Sequence, residues 1–300
     1  MTYGNCMLPG GYIDDSGRRH QEVELAPLSG HEEELLVANA EKGAAVQVTA
    51  ILGRCIRRLG TLDRVDEALV RKLLVGDRQY LMLQLRALTF GDRVQATAAC
   101  PWPDCGTEVD MDFRISDIPV SDIGLDAARY RIDVAMSPDA ADSTIWFRLP
   151  NGGDQEELNA QGVDNSAEIS SRLLWRCIES IDDQQDPDLE QVRGLPAGVR
   201  IQIEERMQKL APDLDLTMET CCPECRRDFT IPFDIQSFFF GEMRSSRELL
   251  RREIHYLAYH YHWSEQDILS MTRDRRQQYI EILSDEIERM NAGGQYSATR

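Results

Sequence analysis

The sequence is poor in basic residues and has no long apolar run. It contains 33 Lys and Arg against 52 Asp and Glu, a formal charge of −19 over 300 residues. Because a field of this sign repels phosphate backbones on average, we do not expect a dedicated nucleic-acid binder. No stretch approaches the roughly 18 consecutive apolar residues of a membrane-spanning helix. We therefore expect no membrane insertion.

Targeting and catalytic motifs are also missing. The opening MTYGNCMLPGGYIDD lacks the basic start and apolar run of a signal peptide. We expect the chain in a reducing cytosol, where its eight cysteines are thiols or metal ligands instead of disulfides. There is no nucleophile elbow and no His-Glu-x-x-His, and RLPNGGDQEEL (148–158) lacks the Gly-Lys-Ser/Thr ending of a phosphate loop. Nothing in the sequence marks an enzyme.

Four of the eight cysteines form two matched pairs. Cys100 and Cys105 flank the turn Pro-Trp-Pro-Asp, and Cys222 and Cys225 form a Cys-Pro-x-Cys turn. Segments that alternate apolar and polar side chains surround each pair, as in half-buried strands. The sequence therefore predicts two zinc-knuckle β-hairpins, which resemble a weak internal duplication of one knuckle.

The two pairs together would supply the four ligands of one tetrahedral zinc ion. The clamp would close a very long loop and fasten the intervening segment to the core. Four thiolates fill the coordination sphere, so we predict one structural zinc per chain and not a catalytic one. The alternative is four unligated thiols in two turns. Cys221 adjoins the site but is not the expected ligand. Cys6, Cys55 and Cys177 are expected as loop or core thiols.

The expected fold class is α+β. It comprises a helical N-terminal layer, two zinc-knuckle hairpins that form one zinc-ribbon-like site, an inserted α/β segment and a C-terminal helical unit. The predicted domains are a hairpin arm, a zinc-clamped body, a partner-binding helical unit and a frayed tail. Their residues are 1–28, 29–242 with the insertion at about 115–216, 243–293, and 294–300.

Apolar periodicity and capping residues place the helices and strands. Ser29 with Glu32 predicts a capping box, and Ser264 predicts a second helix start. Asp77 is expected to cap a helix after a break at Gly76. The hairpin arm is predicted at 11–25, and two further strands at 130–136 and 144–149. The predicted helices are 30–41, 44–59, 65–75, 78–89, 165–181, 196–210, 243–262 and 264–291.

The segment HYLAYHYHW (255–263) is rich in histidine and aromatic residues. Its histidines lack the one-turn spacing of a helical zinc pair, so aromatic packing is the preferred interpretation. The composition, edged with arginine, is also typical of a protein contact patch. The residues predicted to bind a partner are His255, Tyr259, His262 and Trp263.

Several blocks occur in the order found in one family. They include LPGGYIDDSGRRHQEVELAPLSGHEEELL (8–36), LLVGDRQYLMLQLRALTFGDRVQATAACPWPDC (73–105), FRLPNGGDQEEL (147–158) and CPECRRDFTIPFDIQSFFFGEM (222–243). The chain resembles the base plate protein family of contractile-tailed phages, the baseplate-hub assembly chaperones. Relatives occur in phage-derived contractile injection systems. The segment 252–283 is similar to a helical segment of the same systems.

The resemblance implies a role in assembly. It implies a non-enzymatic factor of the bacterial cytoplasm that helps to build a contractile-tail baseplate or stays in the particle. Its partners would be hub, spike or wedge proteins, and the family's cysteine pairs carry over onto Cys100, Cys105, Cys222 and Cys225. The alternative is a zinc-ribbon nucleic-acid-binding or regulatory protein, with the cations of CRRDF (225–229) near the metal. A zinc enzyme would need an open coordination position and a base.

Overall fold

The chain folds into a mixed α+β structure with several small sheets and many helices. The computed structural model describes residues 3–38, 41–121, 125–137, 142–162 and 165–297. Within those ranges, no helix combines the length and the apolar character needed to span a membrane. Two units with the same order of elements, repeat A and repeat B, are followed by three C-terminal helices.

Repeat A begins with a strand pair and ends with the first cysteine hairpin. Its elements are β1 (Gly4–Ile13), β2 (Arg19–Leu25), α1 (Gly30–Ala38), α2 (Ala44–Cys55), β3 (Ile56–Leu59), α3 (Glu67–Lys72), α4 (Val75–Phe90), β4 (Arg93–Ala99) and β5 (Glu108–Arg114). The first three strands form an antiparallel sheet in the order β1-β2-β3, and β4 pairs with β5. A short strand, β6 (Val120–Ser121), leads to repeat B.

Repeat B follows the same path and ends with the second cysteine hairpin. Its elements are β7 (Tyr130–Ala135), β8 (Asp142–Phe147), α5 (Gly152–Ala160), α6 (Ser166–Cys177), β9 (Ile178–Ile181), β10 (Gln184–Gln185), α7 (Leu189–Gly194), α8 (Ala197–Leu210), β11 (Asp213–Leu214), β12 (Thr217–Cys221) and β13 (Asp228–Pro232). Its main sheet has the order β10-β9-β8-β7, β11 pairs with β6, and β12 pairs with β13. The C-terminal helices are α9 (Ile235–Tyr261), α10 (Glu265–Leu269) and α11 (Arg273–Ser297).

The two repeats keep a constant residue spacing. From the end of β2 to the first cysteine of the hairpin, equivalent positions lie 122 residues apart, as Cys222 does from Cys100. The equivalent pairs include Ser29 and Asn151 at helix starts, Cys55 and Cys177 at helix ends, and Asp66 and Asp188 at the caps of the short helices. The segment that the sequence suggests as an insertion, about 115–216, therefore contains most of a second copy of the first unit.

Buried polar contacts repeat as well. Thr49 Oγ1 lies 3.2 Å from Ala45 O and accepts a hydrogen bond from Arg78 Nη1 over 2.8 Å. In repeat B the same contacts measure 2.9 and 3.5 Å, between Ser171, Ala167 and Arg200. Because a buried hydroxyl needs a partner, both repeats keep the hydroxyl and the arginine together.

Each repeat has its own apolar core. Ile51 and Leu81 are fully buried in repeat A, and Ile145 and Ile203 in repeat B. The first turns of α9 complete the core of repeat A, where Phe239 is also fully buried. The predicted domain boundary at 242/243 therefore falls inside α9.

Two predicted helices, 44–59 and 165–181, are too long. They end at Cys55 and Cys177, and the residues that follow are the strands β3 and β9. Ile56 pairs with the end of β2, and Ile178 with the end of β8. Pairing with a strand that is distant in sequence outweighs the local helical pattern there.

The predicted break at Gly76 and the capping role of Asp77 are wrong. The helices separate at Leu73 and Leu74, and Asp77 lies inside α4. Its carboxylate accepts backbone hydrogen bonds from Gly10 and Gly11 over 2.8 and 3.0 Å, so Asp77 joins α4 to β1.

Other predicted boundaries differ from those of the structure by a few residues, and one predicted helix is divided in two. The hairpin predicted at 11–25 belongs to a longer pair that starts at residue 4, and α9 begins at Ile235 instead of 243. The predicted helix 264–291 divides into α10 and α11, although Ser264 caps α10 as expected. The frayed tail predicted at 294–300 overlaps the end of α11, and residues 298–300 lie outside the described residues.

Candidate metal centre

The two cysteine turns close in a similar way, although the first turn is two residues longer. The backbone N–H of Cys100 donates to Thr107 O over 2.9 Å, and that of Cys222 donates to Arg227 O over 3.1 Å. The residue after the second cysteine is left-handed in both turns, with φ of 65° at Gly106 and 56° at Arg226. Each turn therefore directs its two thiols to the same side.

The hairpin tips meet so that all four predicted ligands come together. Their sulfur atoms lie within 4.8 Å of one another. The separation is 3.8 Å between Cys100 and Cys225, and 3.6 Å between Cys105 and Cys222. A tetrahedron with zinc–sulfur bonds of about 2.3 Å requires sulfur atoms about 3.8 Å apart. The four thiols could therefore hold a metal ion, and they are too far apart for disulfides.

Each of the two close sulfur pairs joins one hairpin to the other, because the first cysteine of each turn approaches the second cysteine of the other turn. Phe113 and Phe233, at equivalent places in the two hairpins, also touch, with ring centroids 5.1 Å apart. The hairpins thus face each other as two copies of one unit.

An ion pair ties the two turns together beside the sulfur atoms. Arg227 Nη2 donates to both carboxylate oxygens of Asp104 over 2.6 and 2.5 Å. The same guanidinium lies over the Trp102 ring, 4.7 Å from its centroid. The sequence places this cation near the predicted metal but does not identify its partner. The opposite charges of the two turns, in PWPDC and CRRDF, are consistent with such a pair but do not identify its members.

The thiols differ in acidity. A side-chain hydrogen bond with Thr107 lowers the pKa of Cys105 to about 6. A backbone hydrogen bond from Arg227 lowers the pKa of Cys225, whereas burial raises the pKa of Cys100 to about 12. A metal cation that binds all four sulfurs must displace the protons that the thiols still carry. Metal binding therefore depends on pH.

Very little apolar surface holds the hairpin tips together. Apart from the cysteines, their small core contains Val109, Phe229 and Ile231. A cluster of this size stabilises a contact weakly, and a bound metal would supply the missing free energy. The four-cysteine set has no histidine or carboxylate and suits a closed structural centre.

The remaining cysteines are not members of this four-sulfur cluster. Cys221 is exposed, and a side-chain hydrogen bond with Asp228 raises its pKa. Cys55 and Cys177 are buried at the ends of α2 and α6, as expected for core thiols. Cys6 is half-buried on β1.

The predicted partner-binding residues lie where α9 ends. Tyr259 is 69% exposed, and His255 and His262 are also exposed. His262 is left-handed, with φ of 58°, and it ends the helix. Trp263 is half-buried instead, stacked on Tyr261 with ring centroids 4.6 Å apart. The first three side chains are open to a partner, and Trp263 makes contacts within the chain.

The fold and the site define an α+β protein of two repeats whose cysteine hairpins meet at a candidate metal centre. The chain belongs to the T4 bacteriophage base plate protein family, which matches residues 12–240. Residues 243–300 match a family of unknown function (DUF6760). No match was found among curated proteins or solved structures. The two family matches meet inside α9.

Proposed function

We propose that the protein is a non-enzymatic assembly factor or structural component of a contractile-tail baseplate and contains one structural zinc. The observation that carries the proposal is membership of the base plate protein family over both repeats. Partners would be hub, spike or wedge proteins of the tail. Phage-derived injection systems are included, because they share the contractile tail.

Exposed apolar side chains support a contact role for the C-terminal helices. Leu249 and Tyr259 on α9, and Ile282 and Met290 on α11, are all exposed large side chains. Apolar groups that face water on adjacent helices are typical of protein interaction surfaces. The patch around His255, Tyr259 and His262 is therefore proposed as a partner-binding surface.

Affinity purification from producing cells, followed by mass spectrometry, tests the proposal. We expect tail hub, spike or wedge proteins to co-purify with the wild-type chain at modest salt. Recovery of nucleic acid or of unrelated proteins alone would contradict the assembly role.

A matched pair of variants tests the patch. Tyr259→Ser removes the most exposed aromatic ring of α9, whereas Trp146→Ser removes an exposed ring from β8. We expect the first variant to recover less partner and the second to behave as wild type. Equal recovery with both variants would exclude the patch as the contact.

A further inference from the structure

A second repeated unit runs through the whole molecule: a short capped helix, a link and a long helix. The short helices α3, α7 and α10 follow the caps Asp66, Asp188 and Ser264. In all three units the long helix begins nine residues after the cap, and its fourth residue is an arginine. We call the link with the first turn of the long helix a junction: junction 1 is Leu73–Arg78, junction 2 is Leu195–Arg200 and junction 3 is Met271–Arg276.

Junction 1 binds the start of α5. The backbone N–H of Gly152 donates to Leu73 O over 3.0 Å, and that of Val75 donates to Pro150 O over 3.3 Å. Leu74 and Asn151 thus form an antiparallel bridge. A side chain at Gly152 would collide with the Arg78 guanidinium, since a Cβ there would lie 2.1 Å from Nη1.

Side chains complete this contact. Glu156, on the second turn of α5, accepts a hydrogen bond from Arg71 Nε over 2.8 Å. Its other carboxylate oxygen accepts a hydrogen bond from the Thr49 hydroxyl. Junction 1 therefore recognises a helix start with a cap residue, a glycine and a nearby glutamate.

Junction 3 binds the start of α1 in the same way. The N–H of Gly30 donates to Met271 O over 3.2 Å, and Ser29 forms an antiparallel bridge with Thr272. Arg276 Nη2 donates to Glu33 Oε1 over 2.7 Å. Glycine again follows the cap, and its Cβ would lie 2.8 Å from the Leu269 side chain. Two distant junctions thus hold two equivalent helix starts.

Junction 2 has the same parts and no such partner among the described residues. Leu195 is in the place of Leu73, and Ala197 in the place of Val75. In the described part of the chain, no hydrogen bond joins the Leu195 carbonyl or the Ala197 N–H to a helix start. Pro196 and Ala197 are exposed, whereas Leu74 is buried and Val75 half-buried in junction 1.

The chemistry of junction 1 is preserved in junction 2. Arg193, Arg200 and Ser171 replace Arg71, Arg78 and Thr49, each 122 residues on. Pro196 does not obstruct a bridge, because the backbone bonds in junction 1 use Leu73 and Val75 and not the N–H of Leu74. Ile201, one turn after Ala197, is 53% exposed and offers apolar surface beside the junction.

We propose that junction 2 binds the start of a helix from a neighbouring protein. The occupant has a Ser, Asn or Asp cap, glycine at the first helical position and an acidic residue within the next turn or so. Arg193 already pairs with Glu168 and Glu190. Junction 2 would therefore recognise the occupant through the backbone of the occupant's glycine and through Arg200. Both helix starts of this type described above are held by junctions 1 and 3.

A peptide with the sequence of residues 147–160, FRLPNGGDQEELNA, tests the junction directly. We expect the fluorescently labelled peptide to bind the full-length protein saturably, as measured by anisotropy. A peptide with Gly152→Val should lose binding because its side chain meets the arginine. Absence of saturable binding by the unmodified peptide would overturn the proposal.

Two variants of the protein show where the peptide binds. Ala197→Pro removes the N–H that would pair with the peptide, yet proline is well tolerated at the first position of a helix. Ala197→Ser keeps that N–H. We expect the first variant to weaken binding about fivefold, the effect of one hydrogen bond, and the second to bind as wild type. Equal binding by both variants would overturn the assignment to junction 2.

The source of the natural occupant is tested in cells, and this step rests on the proposed function. A photoreactive phenylalanine at position 201 should crosslink to a glycine-containing helix start of a tail protein. Crosslinks to such a helix start in a protein that does not belong to a contractile tail would support the junction proposal but contradict the baseplate role. Crosslinks confined to segments without that sequence would overturn the junction proposal even if the tail role holds.

Discussion

At the scale of single residues, two helical glycines of repeat B face very different surroundings. Gly152 begins α5 against the Arg78 guanidinium, whereas nothing lies within 4 Å of a Cβ at Gly198. We expect Gly152→Ala to destabilise the fold by about 1–3 kcal/mol through overpacking. Gly198→Ala should be neutral or stabilise by up to about 1 kcal/mol, because alanine favours helix. Urea unfolding of both variants measures the contrast, and equal midpoints would contradict it.

Asp154 is a buried carboxylate between two arginines. Burial would raise the pKa of Asp154, but the Arg148 hydrogen bonds and charge, with those of Arg176, outweigh it and hold the pKa below its usual value. Such a group stabilises the fold above its unfolded pKa of about 3.9, and this contribution is lost as pH falls through the folded pKa.

We therefore expect Asp154→Asn to cost about 3 kcal/mol at neutral pH. It leaves Arg148 without its charge partner and Arg176 with only the exposed Glu157. The difference from wild type should narrow as pH falls below about 4, because Asp154 of the unfolded wild-type chain then begins to protonate while the folded chain still holds it ionised. The narrowing should continue down to the lower pKa of the folded state. Unfolding free energies at several pH values check this. A difference that stays constant down to the acid limit of folding would contradict the account.

The meeting of the four cysteines could be predicted from residue spacing, whereas the contacts around them could not be assigned. Two cysteine pairs between alternating strands specify a shared centre, because four thiols are what one zinc requires. The Arg227–Asp104 pair depends on how the two hairpins meet in space. Nor does spacing show that Trp263 stacks within the chain while Tyr259 faces solvent.

At the scale of elements, the cysteine hairpins are two two-stranded sheets with little apolar surface between their tips. We expect Cys222→Ser to lose one equivalent of zinc and to melt at a lower temperature, because it removes one of the four ligands. Cys221→Ser, on the neighbouring exposed residue, should keep its metal. Metal analysis and thermal melting provide the measurement. Unchanged zinc content in the first variant would exclude the proposed centre.

Buried charges fasten the C-terminal helices to repeat A. Arg276 of α11 is fully buried and pairs with Glu33 of α1 and Glu253 of α9 over 2.7 and 2.9 Å. We expect Arg276→Met to cost about 3–5 kcal/mol, because two buried carboxylates would then face each other unpaired. The neighbouring exposed change Arg275→Met should stay within about 0.5 kcal/mol. Chemical denaturation distinguishes the two, and similar losses would refute the buried-triad account.

Local sequence indicated most helices but not the strands that end two of them. β3 and β9 each contain four residues and continue directly from a helix through Arg-Cys-Ile. Apolar periodicity cannot separate such a short strand from one more helical turn. The signal was the recurrence of Arg-Cys-Ile at a spacing of 122, which becomes informative when the two halves are compared.

At the scale of the whole molecule, the charge of −19 favours the baseplate hypothesis over the nucleic-acid-binding one. Near the candidate metal, Arg227 is already paired with Asp104, so the neighbouring exposed Arg226 is the cation of this turn that could face phosphates. We expect no binding to duplex DNA or to RNA at physiological salt. Fluorescence anisotropy across a salt series checks this. Binding that weakens steeply with added salt would revive the zinc-ribbon nucleic-acid binder.

The contact between Gly30 and Met271 also constrains the order in which the chain can mature. The start of α1 is made early on the ribosome, but the residues that hold it are 241 positions further along. The start of α5, by contrast, finds its junction already synthesised. During synthesis, the start of α1 therefore lacks its contacts with junction 3 until residue 276 has left the ribosome. The contact between α1 and junction 3 thus forms late, because it requires the C-terminal helices and not only repeat A.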